Sequence, residues 1–167
     1  MSASVVRLAI SAVTLGLAAS LATPASAELL AHKDLSLDVA LTIASTAAAT
    51  CKAQGYKVSV HVVGRTGEVL VALRGDNASP HTMENSFRKA YTARTFRVPS
   101  GEIGERVKQN PQLPLLLLSN TTSAQGALPI KVGDDVIGAL GVSGAPGGDK
   151  DEVCTKSGID KVADQLK

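Results

Sequence analysis

Gly126-Ala-Leu-Pro-Ile-Lys-Val-Gly-Asp-Asp-Val-Ile-Gly-Ala-Leu-Gly-Val-Ser-Gly144 decides the reading of the chain. Leu128, Ile130 and Val132 alternate with Pro129 and Lys131, the period of a half-buried strand. Gly133-Asp134-Asp135 has turn composition. Val136 to Val142 is almost wholly apolar and reads as a buried central strand. Gly138 and Gly141 within it predict close approach by a neighbouring element. The chain continues Ala-Pro-Gly-Gly-Asp-Lys-Asp-Glu-Val-Cys154, a glycine-rich loop and a helix start. Asp149 reads as the N-cap and Glu152, three residues on, as its capping-box partner. That last helix runs on to Leu166.

Upstream, Leu35 to Gln54 is alanine-rich, with Leu37, Leu41, Ala44, Ala48 and Cys51 at helical spacing and Gly55 as the stop. In Tyr56 to Val63, Val58, Val60 and Val62 form one face and Lys57, Ser59 and His61 the other, a solvated one. Gly64 to Gly67 is a turn, and Glu68 to Leu73 is the return strand of a hairpin. Arg74-Gly75-Asp76 opens a loop. Ser79-Pro80 predicts an N-cap with proline at the first helical position. That helix reaches about Phe96 and carries Met83, Phe87, Ala90, Tyr91 and Arg94 on one side. Val98-Pro99-Ser100 breaks it, and a short helix, Gly101 to Gln109, follows. Leu115 to Leu118 reads as a brief buried strand or an interface segment. The sum is an α+β domain: an antiparallel β-sheet flanked by α-helices.

The chain has 167 residues, 19% of them charged, enough for one domain with a core. Its formal net charge of +2 gives no electrostatic case for nucleic acid. Residues 1–27 read as a signal peptide: Arg7, an apolar run from Leu8 to Leu21, and an Ala25-Ser26-Ala27 cleavage site. The run is short for a span, which argues against stable membrane insertion. The domain therefore covers 28–167 and is expected to be secreted or periplasmic. In such a compartment Cys51 and Cys154 pair as a disulfide; the alternative is two buried free thiols.

Catalytic motifs are absent. There is no C-x-x-C, no H-E-x-x-H, no C-x-x-C-H and no G-x-S-x-G, and Gly144 to Gly148 lacks the Lys-Ser/Thr end of a phosphate loop. Asp149 and Glu152 form a D-x-x-E pair that suits a surface iron ion, though the capping box explains the same pair.

Two blocks carry a family resemblance. "LPI-x-V-G-D-x-x-IGA-x-GVSG" followed by "D-x-DE-x-C" resembles the signature of the GlcG/HbpS family of heme-binding-protein-like domains, related to the C-terminal domain of PduO-type proteins. Arg74-Gly75-Asp76 with Arg88 to Ala93 resembles that family's other block. Arg74, Asp76, Ser86, Lys89, Gly141, Ser143 and Gly144 stand at the matching positions. The resemblance spans roughly 35 to 167 and implies a profilin-like fold, self-association into a homo-oligomer, and reversible non-covalent heme binding for heme or redox sensing, transport or sequestration. Heme needs an axial donor, an apolar slot and cations for its propionates. His32 and His81 are the foremost donors, with His61, Met83 and Tyr91 behind them. Phe87 would contribute apolar surface, and Arg88, Lys89, Arg94 and Arg97 cations. The resemblance also leaves room for weak heme degradation. Two rival readings stand beside it: a carboxylate-binding module or enzyme without heme, using Arg74, Asp76 and Lys89, and an interaction subunit of a sensor or transporter protein.

Overall fold

The first helix shows how small residues set this architecture. In the computed structural model, which describes residues 28–167, α1 runs Leu37–Ala53. Ser36 caps it by accepting from Val39 N–H at 3.3 Å. Its buried face is Ala40, Ile43, Ala44, Ala47 and Cys51. Leu37 and Leu41, expected inside, are 60% and 42% exposed. The reason is proximity to the last helix, α4 (Gly148–Asp160). A Cβ on Gly158 would come within 2.6 Å of Ile43 O and 3.1 Å of Ala47 Cβ. Leucines do not fit so narrow a gap, so the alanine stripe turns inward. Cys51 and Cys154 are joined as a disulfide across this contact, Cα–Cα 5.6 Å, closing 103 residues of chain.

Four strands form one antiparallel sheet in the order β2-β1-β4-β3: β1 Ser59–Val63, β2 Val69–Arg74, β3 Ala127–Val132 and β4 Asp135–Ser143. The two strands of the opening stretch are β3 and β4, and β4 is central and buried from Val136 onward. Val60 pairs with Val142 and Val62 with Leu140; with Ile130 they form the main core under α1 and α4. On the opposite face Ser59, His61 and Val63 pair with Ser143, Gly141 and Ala139, under α2 (His81–Phe96). Gly141 is the hinge of that packing. A Cβ there would fall onto Ser86 O and lie 2.7 Å from Ala90 N, so glycine lets the helix backbone rest on the sheet.

The sequence puts Ser59 and His61 on a solvated face; both are buried. Thr82 and Ser86 of α2 descend onto them, giving Ser59 Oγ to Thr82 Oγ1 and His61 Nδ1 to Ser86 Oγ, each 2.8 Å. Polar meets polar, so both sides are satisfied without water.

Helix starts differ from expectation in two places. Ser79 offers its carbonyl rather than its hydroxyl to α2, accepting from Thr82 N–H at 3.0 Å. There is no capping box at α4: Gly147 precedes the helix and Asp149 lies inside its first turn. The helix also ends earlier, at Asp160, before a 3-10 turn at Ala163–Gln165. Arg97, at φ 60, ends α2, and α3 spans Ser100–Gln109. Of the two readings of Leu115–Leu118, strand or interface segment, the strand does not form. Pro114–Leu117 is a 3-10 turn, closed by Thr121 Oγ1 donating to Leu115 O at 2.6 Å and to Leu118 O at 2.8 Å. Leu117 is left 86% exposed. The signal-peptide reading lies outside the described residues, and among these no helix is long and apolar enough to cross a membrane.

Candidate functional site

α2 sorts its side chains by helical spacing into a buried stripe and two flanks. Thr82, Ser86, Lys89, Ala90 and Ala93 face the sheet. Met83, Phe87 and Tyr91 lie half-buried along one flank, and His81 and Asn85 lie on the other.

The first flank is aromatic and continuous. Phe87 and Tyr91 have ring centroids 5.7 Å apart, and His61 meets Phe87 edge-on at 5.8 Å. Tyr91 packs over Gly67, where a Cβ would be 2.7 Å from its Cε2. The hydrogen bonds beneath fix the His61 tautomer. Ser86 Oγ–H donates to Met83 O at 3.0 Å, so Ser86 Oγ accepts from His61 Nδ1–H. The lone pair then sits on Nε2. Burial holds the His61 pKa below its ordinary 6.5, so the imidazole is neutral at neutral pH. A histidine fixed through Nδ1–H with a free Nε2 is the arrangement of a metal-ligating imidazole.

The second flank opens on a polar cavity of about 450 Å³, lined among others by His81, Asn85, Gln125, Ser143 and Gly148. At its base Lys89 Nζ donates to Asp151 Oδ2 at 2.7 Å and to Val142 O at 3.0 Å, with the two side chains only 4% and 3% exposed. Asp151 Oδ1 accepts from Ala145 N–H at 2.9 Å, tying down the glycine loop. Burial pushes the Asp151 carboxyl above its ordinary pKa, against the pull of Lys89. Lys89, expected among the cations for heme propionates, is instead neutralised in the interior by Asp151. Gly126, at φ 129, seals the pair, since a Cβ there would lie 2.7 Å from Asp151 Cβ and 2.8 Å from Lys89 Nζ.

The remaining residues singled out by sequence lie apart. Arg74 pins its loop by donating to Ala78 O from Nη2 at 2.7 Å and Nε at 3.2 Å, while Asp76 stands 3.7 Å from exposed Lys52. His32 is exposed, its Nε2 3.1 Å from Asp34 Oδ2. Asp34 and Asp135 in turn hold Arg65 at 3.0 and 2.7 Å. Asp149 is exposed in the first turn of α4, and Glu152 Oε2 is buried without a partner. Among the described residues no three His, Cys, Asp or Glu side chains converge as a metal site. Ser143 accepts from Asn85 Nδ2 at 2.9 Å, and Gly144, at φ 131, lets the chain pass Val58, whose Cα would lie 2.9 Å from a Cβ.

Of the six residues foremost for heme, the fold thus unites Met83, Phe87 and Tyr91, sends His81 to the opposite flank, buries Lys89 against the sheet, and leaves His32 elsewhere. It brings His61, a lesser donor in the sequence, against the row. The signal for His61 was present in the sequence: Thr82 and Ser86, four apart, give α2 a polar stripe that matches Ser59 and His61 on the strand.

Against proteins of known identity, the family model described as "Haem degrading protein HbpS-like" matches residues 35–160. A double mutant of HbpS from Streptomyces reticuli is 34% identical, with 83% of this chain and 96% of that one covered and a TM-score of 0.76. An uncharacterised 15.0 kDa protein from the dhaT-dhaS intergenic region of Citrobacter freundii is 33% identical over 113 residues, 64% of this chain and 80% of that one. A PduOC:heme complex, 21% identical, shares the fold with a TM-score of 0.71 over 77% of this chain and 95% of that one. The antiparallel sheet, its helices and the sequence blocks agree with these matches: the chain belongs to the haem degrading protein HbpS-like family.

Proposed function

We propose that this is an exported protein that binds heme reversibly and without a covalent link, for heme sensing, transport or sequestration. The observation that carries the reading is the half-exposed row of Met83, Phe87 and Tyr91 with a neutral histidine against it, in a chain of the HbpS-like family. The row offers apolar surface for a porphyrin face. Arg88, 45% exposed in its side chain, and Arg94 share the helix and suit propionates. His61 is the donor best placed to meet iron, being the histidine in contact with the row. Bound heme would supply an iron centre; the chain's residues hold it and shield one of its faces.

Support for heme as the ligand comes from relatives, one of which was crystallised as a heme complex. Support for export comes from the pattern of residues 1–27 and from the Cys51–Cys154 disulfide, which suits an oxidising compartment. Exposed Leu117 and Leu118 suit contact between copies of the chain, and the flat, open row on α2 suits a heme covered from the other side by a second copy. The test is a heme titration followed by absorbance. A saturable, stoichiometric Soret change supports the reading. A signal that rises without saturation is adsorption and sinks it.

A further inference from the structure

A cleft unrelated to the aromatic row lies between the end of α1 and the mouth of the β1–β2 hairpin. The abrupt stop of α1 creates it. Gly55 takes φ 81 and Tyr56 N–H returns to Cys51 O at 3.0 Å, so the chain turns sharply away from the helix. The space left holds about 600 Å³, within the range of small-molecule sites. Ala48 and Ala49 of α1, with Val58 and Leu73, give it an apolar floor. Lys52, Lys57 and Arg74 stand around it against a single anion, Asp76. The Lys52–Asp76 pair is long, 3.7 Å, and 81% and 90% exposed, so it does little to quench Lys52. Arg74 uses Nε and Nη2 on Ala78 O and keeps Nη1.

We propose that this cleft binds an apolar monocarboxylate, its hydrocarbon or aryl body on the Ala-Val-Leu floor and its carboxylate among Lys52, Lys57 and Arg74. The charge balance of three cations to one anion selects a negative head. The floor selects an apolar body, since its side chains offer an inorganic anion no hydrogen bond. Heme is the wrong guest here: no histidine, methionine or cysteine lines the cleft, and its one tyrosine, Tyr56, packs against the main core. The site does not rest on the heme reading and survives its failure.

Octanoate is the probe, with 1-octanol as its uncharged control, titrated calorimetrically at low salt into the full chain, Lys52→Gln/Lys57→Gln and Ala49→Phe. All three substituted positions are exposed, and circular dichroism melts check that each variant folds as the parent does. Octanoate is expected to saturate at one per chain and to weaken as salt rises. Octanol should bind far more weakly. The double lysine variant should lose about tenfold in affinity, two modest exposed ion pairs, and Ala49→Phe, which fills the cleft, should abolish binding. Equal binding of octanol, or indifference to both variants, overturns the site. So does displacement of bound heme by octanoate, which would make the cleft part of the heme's own site. If octanoate fails to bind while Ala49→Phe separates copies of the chain, the cleft is a protein contact and the proposal falls.

Discussion

At the scale of single residues, two buried polar groups govern the molecule. Lys89 and Asp151 neutralise each other in the interior at 2.7 Å, between α2 and the first turn of α4. Removing one partner strands a charge, whereas replacing both removes the need for either. Lys89→Met should therefore cost about 3–5 kcal/mol in denaturant unfolding, and Lys89→Met/Asp151→Leu should recover much of it. The other group is His61. Its pKa is held below 6.5 in the fold, so below pH 6.5 the unfolded chain takes up a proton that the folded chain resists. Stability should be insensitive to this group above that pH and fall as pH drops through 6.5 toward the depressed value. Thermal midpoints from pH 7.5 to 5 should show that slope, and His61→Gln should flatten it. The sequence reading ranked His61 low, on a solvated face, because alternation reports which residues share a face, not what covers that face. The burial of Lys89 went unread for the converse reason: its partner lies 62 residues on, beyond any local pattern.

Among the elements, strands were easier to read than helix faces. β1, β2, β3 and β4 follow from alternation and turn residues, and their ends fall within a few residues of the reading. In α1 the apolar spacing admits two neighbouring stripes. Side-chain size, not period, selects the inner one, because Ile43, Ala44 and Ala47 pack where Gly158 lets α4 approach. Leu115–Leu118 left strand and interface segment open because an apolar run looks the same in a strand and in an exposed turn, and the hydroxyl of Thr121 decides against the strand. Gly141 is the element-level test of the α2 contact. Gly141→Ala pushes a methyl into the Ser86 carbonyl and should cost at least about 2 kcal/mol by denaturant melt, where an ordinary strand glycine would gain from the change.

For the whole molecule, one covalent link spans most of the chain. Cys51–Cys154 closes a loop of 103 residues, so reduction, or Cys51→Ser/Cys154→Ser, should lower stability by about 5 kcal/mol in the chain-entropy picture. A melt of the reduced against the oxidised protein measures it. The family was legible before the structure because its blocks fall on packing positions: Gly141 under α2, Gly144 beside Val58, Arg74 on Ala78 O. Packing motifs fix a fold and leave the ligand open. That is why the fold was readable while the donor set was scattered over two flanks of α2 and the chain ahead of α1. We propose heme on the Met83–Phe87–Tyr91 row with His61 as its donor. The most direct measurement is the absorbance spectrum of the heme-saturated protein beside His61→Gln, His81→Ala and His32→Ala at matched folding. His61→Gln alone should lose the ligated Soret band and weaken heme binding at least about tenfold, the loss of roughly 1.4 kcal/mol. A band unchanged in His61→Gln, or lost instead with His81→Ala or His32→Ala, would contradict it.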